Sequence, residues 1–186
     1  MKIFSRFSVP GLLISVLGLL AACNLPSPQA DVVRNFTLST PSPVTPVAGA
    51  AQVRPVLLAG HLHGRPMAVR VAEHEVIYLE DVRWAEPLDE AITQLLRARL
   101  STVGGGATVT VQVQRCELVR SAGDRVELAA TYSIMRAGAD PLSPERGTFT
   151  ATPRQWAGKD YGALVGLLQD AVADLGDALA AAVEKK

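Results

Sequence analysis

The sequence predicts an α+β domain: a mostly antiparallel or mixed β-sheet covered on one face by two amphipathic helices. Three observations carry this. Short runs alternating apolar and polar residues fill most of the chain between Val32 and Thr152, the period-2 signature of half-buried strands. Leu88, Ile92, Leu95, Leu96 and Leu100 recur at helical spacing, as do Tyr161, Leu164, Leu168, Val172, Leu175, Leu179 and Val183. The resulting order, β-β-β-β-α-β-β-β-α, suggests a largely antiparallel or mixed sheet with both helices on one face.

The elements follow in order. Alternation around Phe36 and Leu38 predicts a first strand over Val32 to Ser39, and a loop then runs through Pro41, Pro43 and Pro46. Val53 to Leu58, Met67 to Val71 and Glu75 to Glu80 read as strands, the first two separated by a turn region from Gly60 to Pro66. Pro87 suits the first turn of a helix, with Asp89 and Glu90 early and Arg97 and Arg99 late, complementing the helix dipole. Gly104-Gly105-Gly106 ends that helix. Val109, Val111 and Val113 define the next strand's apolar face, but Cys116 and Leu118 have the opposite parity. Either a bulge near Arg115 or covering of both faces is therefore expected. Ser121 to Asp124 marks a hairpin turn into Val126, Leu128, Ala130, Tyr132 and Ile134; Gly147 to Thr152 is a further short strand. The last helix, Asp160 to Val183, contains Gly162, Gly166 and Gly176, each costing about 1 kcal/mol against alanine, so packing must support it.

Composition narrows the function. The chain has 186 residues, 18 basic against 18 acidic side chains, and is 48% hydrophobic, enough for one core. No basic cluster favours nucleic acid. Two cysteines, Cys23 and Cys116, form neither a disulfide framework nor a zinc-ligand spacing. At the N-terminus, Lys2 and Arg6 precede an uncharged run from Phe7 to Leu20. As a helix the run would be about 21 Å long, too short for a hydrocarbon layer of about 30 Å, so residues 1–22 read as a cleaved signal peptide. Leu20-Ala21-Ala22-Cys23 resembles the bacterial lipobox. That resemblance makes Cys23 the lipidated first residue of the mature chain, residues 23–31 a proline-containing tether, and 32–186 the folded domain. Asn24 in place of aspartate points, by the enterobacterial sorting rule, to the outer membrane, facing the periplasm.

The segment Tyr78-Leu79-Glu80-Asp81-Val82-Arg83-Trp84-Ala85-Glu86-Pro87-Leu88-Asp89 resembles the central signature of the ABC-type transport auxiliary lipoproteins, an R-W-A-x-P-L motif entering an amphipathic helix. Asn35-Phe36-Thr37-Leu38 and Arg65-Pro66-Met67-Ala68-Val69-Arg70 reinforce it. The sequence departs from the family between Leu58 and Pro66, where Ala59, His61 and His63-Gly64 replace a proline, an aromatic and an acidic residue. The resemblance implies a non-catalytic accessory of an MCE-type ABC lipid transport system, with the MCE periplasmic tunnel protein and its ABC transporter as partners. Homo-oligomerisation is left open. The alternative is an envelope lipoprotein that stabilises or regulates a cell-wall or outer-membrane assembly without handling lipid.

Arg83 and Trp84 are candidates for partner binding, against a plainer role as a packing anchor before the helix. His61, His63 and His74 lack the Cys, Asp or Glu framework of a metal site, and none is expected to bind metal. Cys116 reads as a thiol on a strand. No hydrolase or phosphate-binding motif is present, so neither an enzyme nor a cofactor beyond the covalent lipid on Cys23 is expected.

Overall fold

The computed structural model describes residues 32–38, 44–121, 123–140 and 142–185; the signal segment, Cys23 and the tether lie outside the described residues. In chain order, strands β1 (Arg34–Phe36), β2 (Gln52–Val53) and β3 (Leu57–Leu58), a 3-10 turn (Gly60–Leu62), β4 (Pro66–Ala72) and β5 (Glu75–Trp84) lead into helix α1 (Leu88–Leu100). Strands β6 (Thr108–Val119), β7 (Arg125–Met135), β8 (Glu145–Thr150) and β9 (Arg154–Gln155) then lead into α2 (Tyr161–Glu184). The unit is Val32–Lys186.

β6 organises the sheet. Along one side it takes three short parallel partners in succession: β2 at Thr108 and Val109, β3 at Gln112 and Val113, and β4 at Leu118 and Val119. Along the other it pairs antiparallel with β7, which holds β8 and β9 on its far side. The path is β1-β5-β4-β6-β7-β8, with parallel and antiparallel neighbours mixed. This is an α+β fold with a mixed open sheet.

The phase break in β6 is a bulge. Val113 faces Ala130 and Arg115 faces Ala129, leaving Gln114 without a partner and turning Cys116 and Leu118 onto the face already occupied by Val109, Val111 and Val113. The other face is also covered there, since Glu117 and Val119 are buried too. Both consequences anticipated from the parity change occur together. The hairpin after β6 turns at Gly123 and Asp124, both at positive φ, a conformation glycine adopts without cost and aspartate tolerates.

The two helices close the other layer. Ile92, Leu96 and Leu100 of α1 and Leu164, Leu168, Leu175 and Leu179 of α2 are fully buried among the apolar strand residues. Gly176 marks the close approach of the helices: a Cβ there would lie 3.0 Å from Arg99 Cγ and 3.5 Å from Leu96 Cδ2. Gly162 sits beside the cap, its N–H donating to Asp160 Oδ1 at 2.8 Å. Gly166 has no neighbour that would exclude a side chain, and nothing in the structure explains it.

Two local expectations need correction. The strand expected over Val53 to Leu58 is split into β2 and β3, because Pro55 has no N–H to give to the ladder and the Val56 N–H donates instead to Thr93 Oγ1 of α1, at 2.9 Å. A short strand, β9, follows Pro153 and was not anticipated; it covers the start of β7 at Arg125 and Val126.

Candidate functional site

With both helices on one face, the chemically distinctive surface is the opposite face of the sheet. Near the β6–β7 hairpin, Glu117 and Glu127 stand directly opposite one another, an arrangement that like charges disfavour. Each carboxylate is held by two cationic or proton-bearing groups. Arg70 Nε donates to Glu117 Oε1 at 2.6 Å, and His61 Nε2 lies 3.1 Å from Oε2. The Glu117 side chain is wholly buried beneath them. Arg115 Nη1 and Arg125 Nε each donate to Glu127 at 2.8 Å. The network is extended by Arg70 Nη1 donating to the Glu73 carbonyl at 3.0 Å and by Tyr78 Oη donating to the His61 carbonyl at 3.2 Å. Every carboxylate here is engaged, which makes the cluster a tie between β4, the 3-10 turn, β6 and β7.

Electrostatics follow from burial and pairing. Partial burial on its own would raise the Glu127 pKa, but hydrogen bonds and positive charge from Arg125 and Arg115 outweigh it and hold the carboxyl below its ordinary value of 4.5. A carboxylate whose folded pKa is depressed stabilises the fold above its unfolded pKa, and that contribution is lost as pH falls through the folded value. The stability gap between wild type and Glu127→Gln, measured by urea denaturation, is therefore expected to be full at pH 7 and to close progressively below about pH 4.5. A gap independent of pH would contradict the pairing. On the helix-covered face, burial first and the neighbouring Glu117 charge second push the Cys116 thiol up to about 12. A thiol so protonated and enclosed is a packing group and a poor nucleophile.

Further along the uncovered face lies a shallow depression of about 420 Å³, lined by Leu57, Thr110, Gln112, Thr131, Ser133 and Arg146 among others. Its polar floor comes from the wet positions of β6 and β7. Leu57, 56% exposed, is its apolar rim.

The structure separates the residues singled out from sequence. Trp84 is 4% exposed and belongs to the core, paired through β5 with Phe36 of β1. Arg83 is partly exposed and folds back on its own strand, Nε donating to the Glu80 carbonyl at 2.7 Å. It thereby braces the irregular stretch where the β4 partner jumps from Leu79 to Arg83. His61 joins the ionic cluster, whereas His63 borders a small cleft with Arg65, Pro87 and Asp89. His74 is exposed in the turn between β4 and β5. Among the described residues no three His, Cys, Asp or Glu side chains converge as a metal-binding group.

Sequence reading missed Trp156, the counterpart of Trp84 before the second helix. It is 5% exposed, its Nε1 donates to the Asp160 carbonyl at 2.8 Å, and its ring lies 5.3 Å from that of Tyr161. The Arg34 guanidinium stands over the rings of Phe36 and Tyr161, at 5.1 and 5.6 Å, fastening β1 to the start of α2. A lone tryptophan a few residues ahead of a helix start was the available signal.

Residues 36–180 match the family described as the ABC-type transport auxiliary lipoprotein component. The chain belongs to this family. Membership carries assignment to the cell-envelope lipoproteins and association with an ABC-type transport system. Two crystal structures share the fold. One, of an uncharacterized protein, superposes with a TM-score of 0.65 at 15% identity, covering 82% of this chain and 99% of that one. The other, a Xanthomonas campestris protein of the DUF330 family, has a TM-score of 0.60 at 16% identity, covering 79% and 91%. No curated protein matches the chain.

Proposed function

We propose that this protein is a non-catalytic accessory of an MCE-type ABC lipid transport system, anchored through lipid on Cys23 in the outer membrane and facing the periplasm. The observation that carries the reading is the family match from residue 36 to residue 180, which takes in the fold from the end of β1 to most of α2. Within the fold, the carboxylates of the ionic cluster are each neutralised by paired groups and the one described thiol is buried. These features support a protein that acts by binding and position, and the reading calls for no cofactor besides the anchor. Two or more acyl chains on Cys23 would give stable attachment, each buried methylene contributing about 0.8 kcal/mol.

The test is mild-detergent extraction of native membranes followed by isolation of the tagged protein at its natural level. Co-isolation of an MCE protein and its ABC ATPase in fixed proportion is the expected result. Recovery of cell-wall or barrel-assembly components alone would favour the alternative, an envelope lipoprotein that supports such an assembly without lipid traffic.

A further inference from the structure

We infer that the outer edge of β8 is a docking strand for an extended, amphipathic segment of a partner protein that carries a carboxylate opposite Arg146. The sheet's two edges differ in how they are protected. At one end β1 spans only three residues, and the part of β5 it leaves bare carries Glu75, Glu80 and Asp81 and an irregular register. Short strands, charges and bulges are the usual defences against edge pairing. β8 has fewer of these. Its six residues pair with β7 without a register shift, it contains no proline, and no strand among the described residues pairs with its outer side.

The direction of its free backbone groups can be read from the ladder. The Ala151 N–H donates to the Leu128 carbonyl at 2.9 Å. By the antiparallel alternation, the N–H and C=O groups of Arg146, Thr148 and Thr150 point out of the sheet. They span about 13 Å along the strand, and all three residues are exposed.

The two faces beside this edge specify the occupant. On the helix side, the Tyr132 ring lies across Gly147, in the space a Cβ there would occupy, and Phe149 is only partly buried beside it. An added strand would lay apolar side chains against those rings. On the opposite side stand Arg146, Thr148 and Thr150. Glu145 is paired with Arg136 at 3.0 Å, whereas Arg146 has no carboxylate partner among the described residues. Backbone pairing supplies affinity and alternate side chains supply selectivity in this mode of recognition.

A second copy of the chain is the poorer occupant. Antiparallel pairing of two β8 strands centred on Thr148 would place Arg146 opposite Thr150 and leave both guanidinium groups without an anion. It would join the molecules through one short strand, against about 20–30 residues a side in stable protein interfaces. The edge assignment stands without the transport reading, which says only which protein supplies the segment.

The test uses the full-length protein in its own cells, with a benzophenone amino acid in place of Thr150 and photocrosslinked adducts mapped by mass spectrometry. Adducts confined to one contiguous segment of one partner, alternating apolar and polar residues and including an acidic one, are expected. Thr148→Pro removes an outward N–H while sparing the bonds to β7, and should lower the yield about tenfold, the effect of roughly one hydrogen bond. Arg146→Glu should lower it comparably, and Thr148→Val should leave it unchanged. Thermal melts establish that the variants are folded. Adducts to a second copy, absence of adducts from position 150, or yields indifferent to both Thr148→Pro and Arg146→Glu would overturn the assignment. Capture of a segment from outside any transport system would sustain the edge and defeat the transport reading. Undiminished co-isolation of the MCE protein with both variants, together with crosslink yields indifferent to them, would do the reverse.

Discussion

Replacing Trp84 by alanine is expected to destabilise the domain by about 3–5 kcal/mol, the cost of deleting a buried indole from a packed core. The side chain is 4% exposed at a corner where several elements depend on it. Its backbone N–H donates to the Arg65 carbonyl at 2.7 Å, and the next residue's N–H donates to Phe36 at 2.8 Å. β1, β5 and the segment entering α1 therefore meet at this residue, whose side chain is part of the buried core. Urea denaturation should show a much lower midpoint with the same dependence on denaturant. A variant as stable as wild type would contradict the core assignment.

The second large effect is expected at Glu117. Glu117→Ala should cost roughly 3 kcal/mol, because it leaves the Arg70 guanidinium, with its side chain 13% exposed, without its anion. The loss comes from the orphaned charge and not from an intrinsically strong bridge. Pairing Glu117→Leu with Arg70→Met should accordingly recover most of the stability, as apolar replacements of buried ion pairs generally do. A double-mutant cycle under denaturant separates the cases. Additive losses in the cycle would mean that the two residues do not act as a pair.

Local features of the sequence translated well into structure, and long-range ones did not. The helical stripes of Leu88 to Leu100 and Tyr161 to Val183 reflect burial against a single layer, so periodicity alone located them. The parity change at Cys116 announced an irregularity near Arg115, because side chains on a strand alternate strictly; the structure shows it as a bulge at Gln114 with both faces covered beyond it. The Arg83-Trp84-Ala85-Glu86-Pro87-Leu88 signature was legible for a related reason. It builds one compact corner, in which Arg83 braces its strand, Trp84 fills the core and Leu88 begins α1.

The ionic cluster stayed hidden because its members meet only through tertiary pairing. Arg70 reaches Glu117 by the parallel contact of β4 with the end of β6, and β1 to β5 is likewise parallel. Such pairings leave no turn between the strands for a sequence to advertise. Glu117, flanked by Cys116 and Leu118, was the one visible trace, a charge inside an otherwise apolar stretch. The unprotected edge of β8 was equally invisible, since strand order decides which strands are edges. Cys23 is the opposite case, a lipid-attachment site proposed wholly from its immediate neighbours.

That residue offers the most direct test of the central claim, that this is an envelope lipoprotein working from a membrane anchor. The measurement is the mass of the N-terminal peptide from protein extracted out of its native membrane. The expected chain starts at Cys23, lacks residues 1–22, and carries a diacylglycerol on the Cys23 sulfur. A mature chain with a free Cys23 thiol, or one that retains the leader, would contradict it.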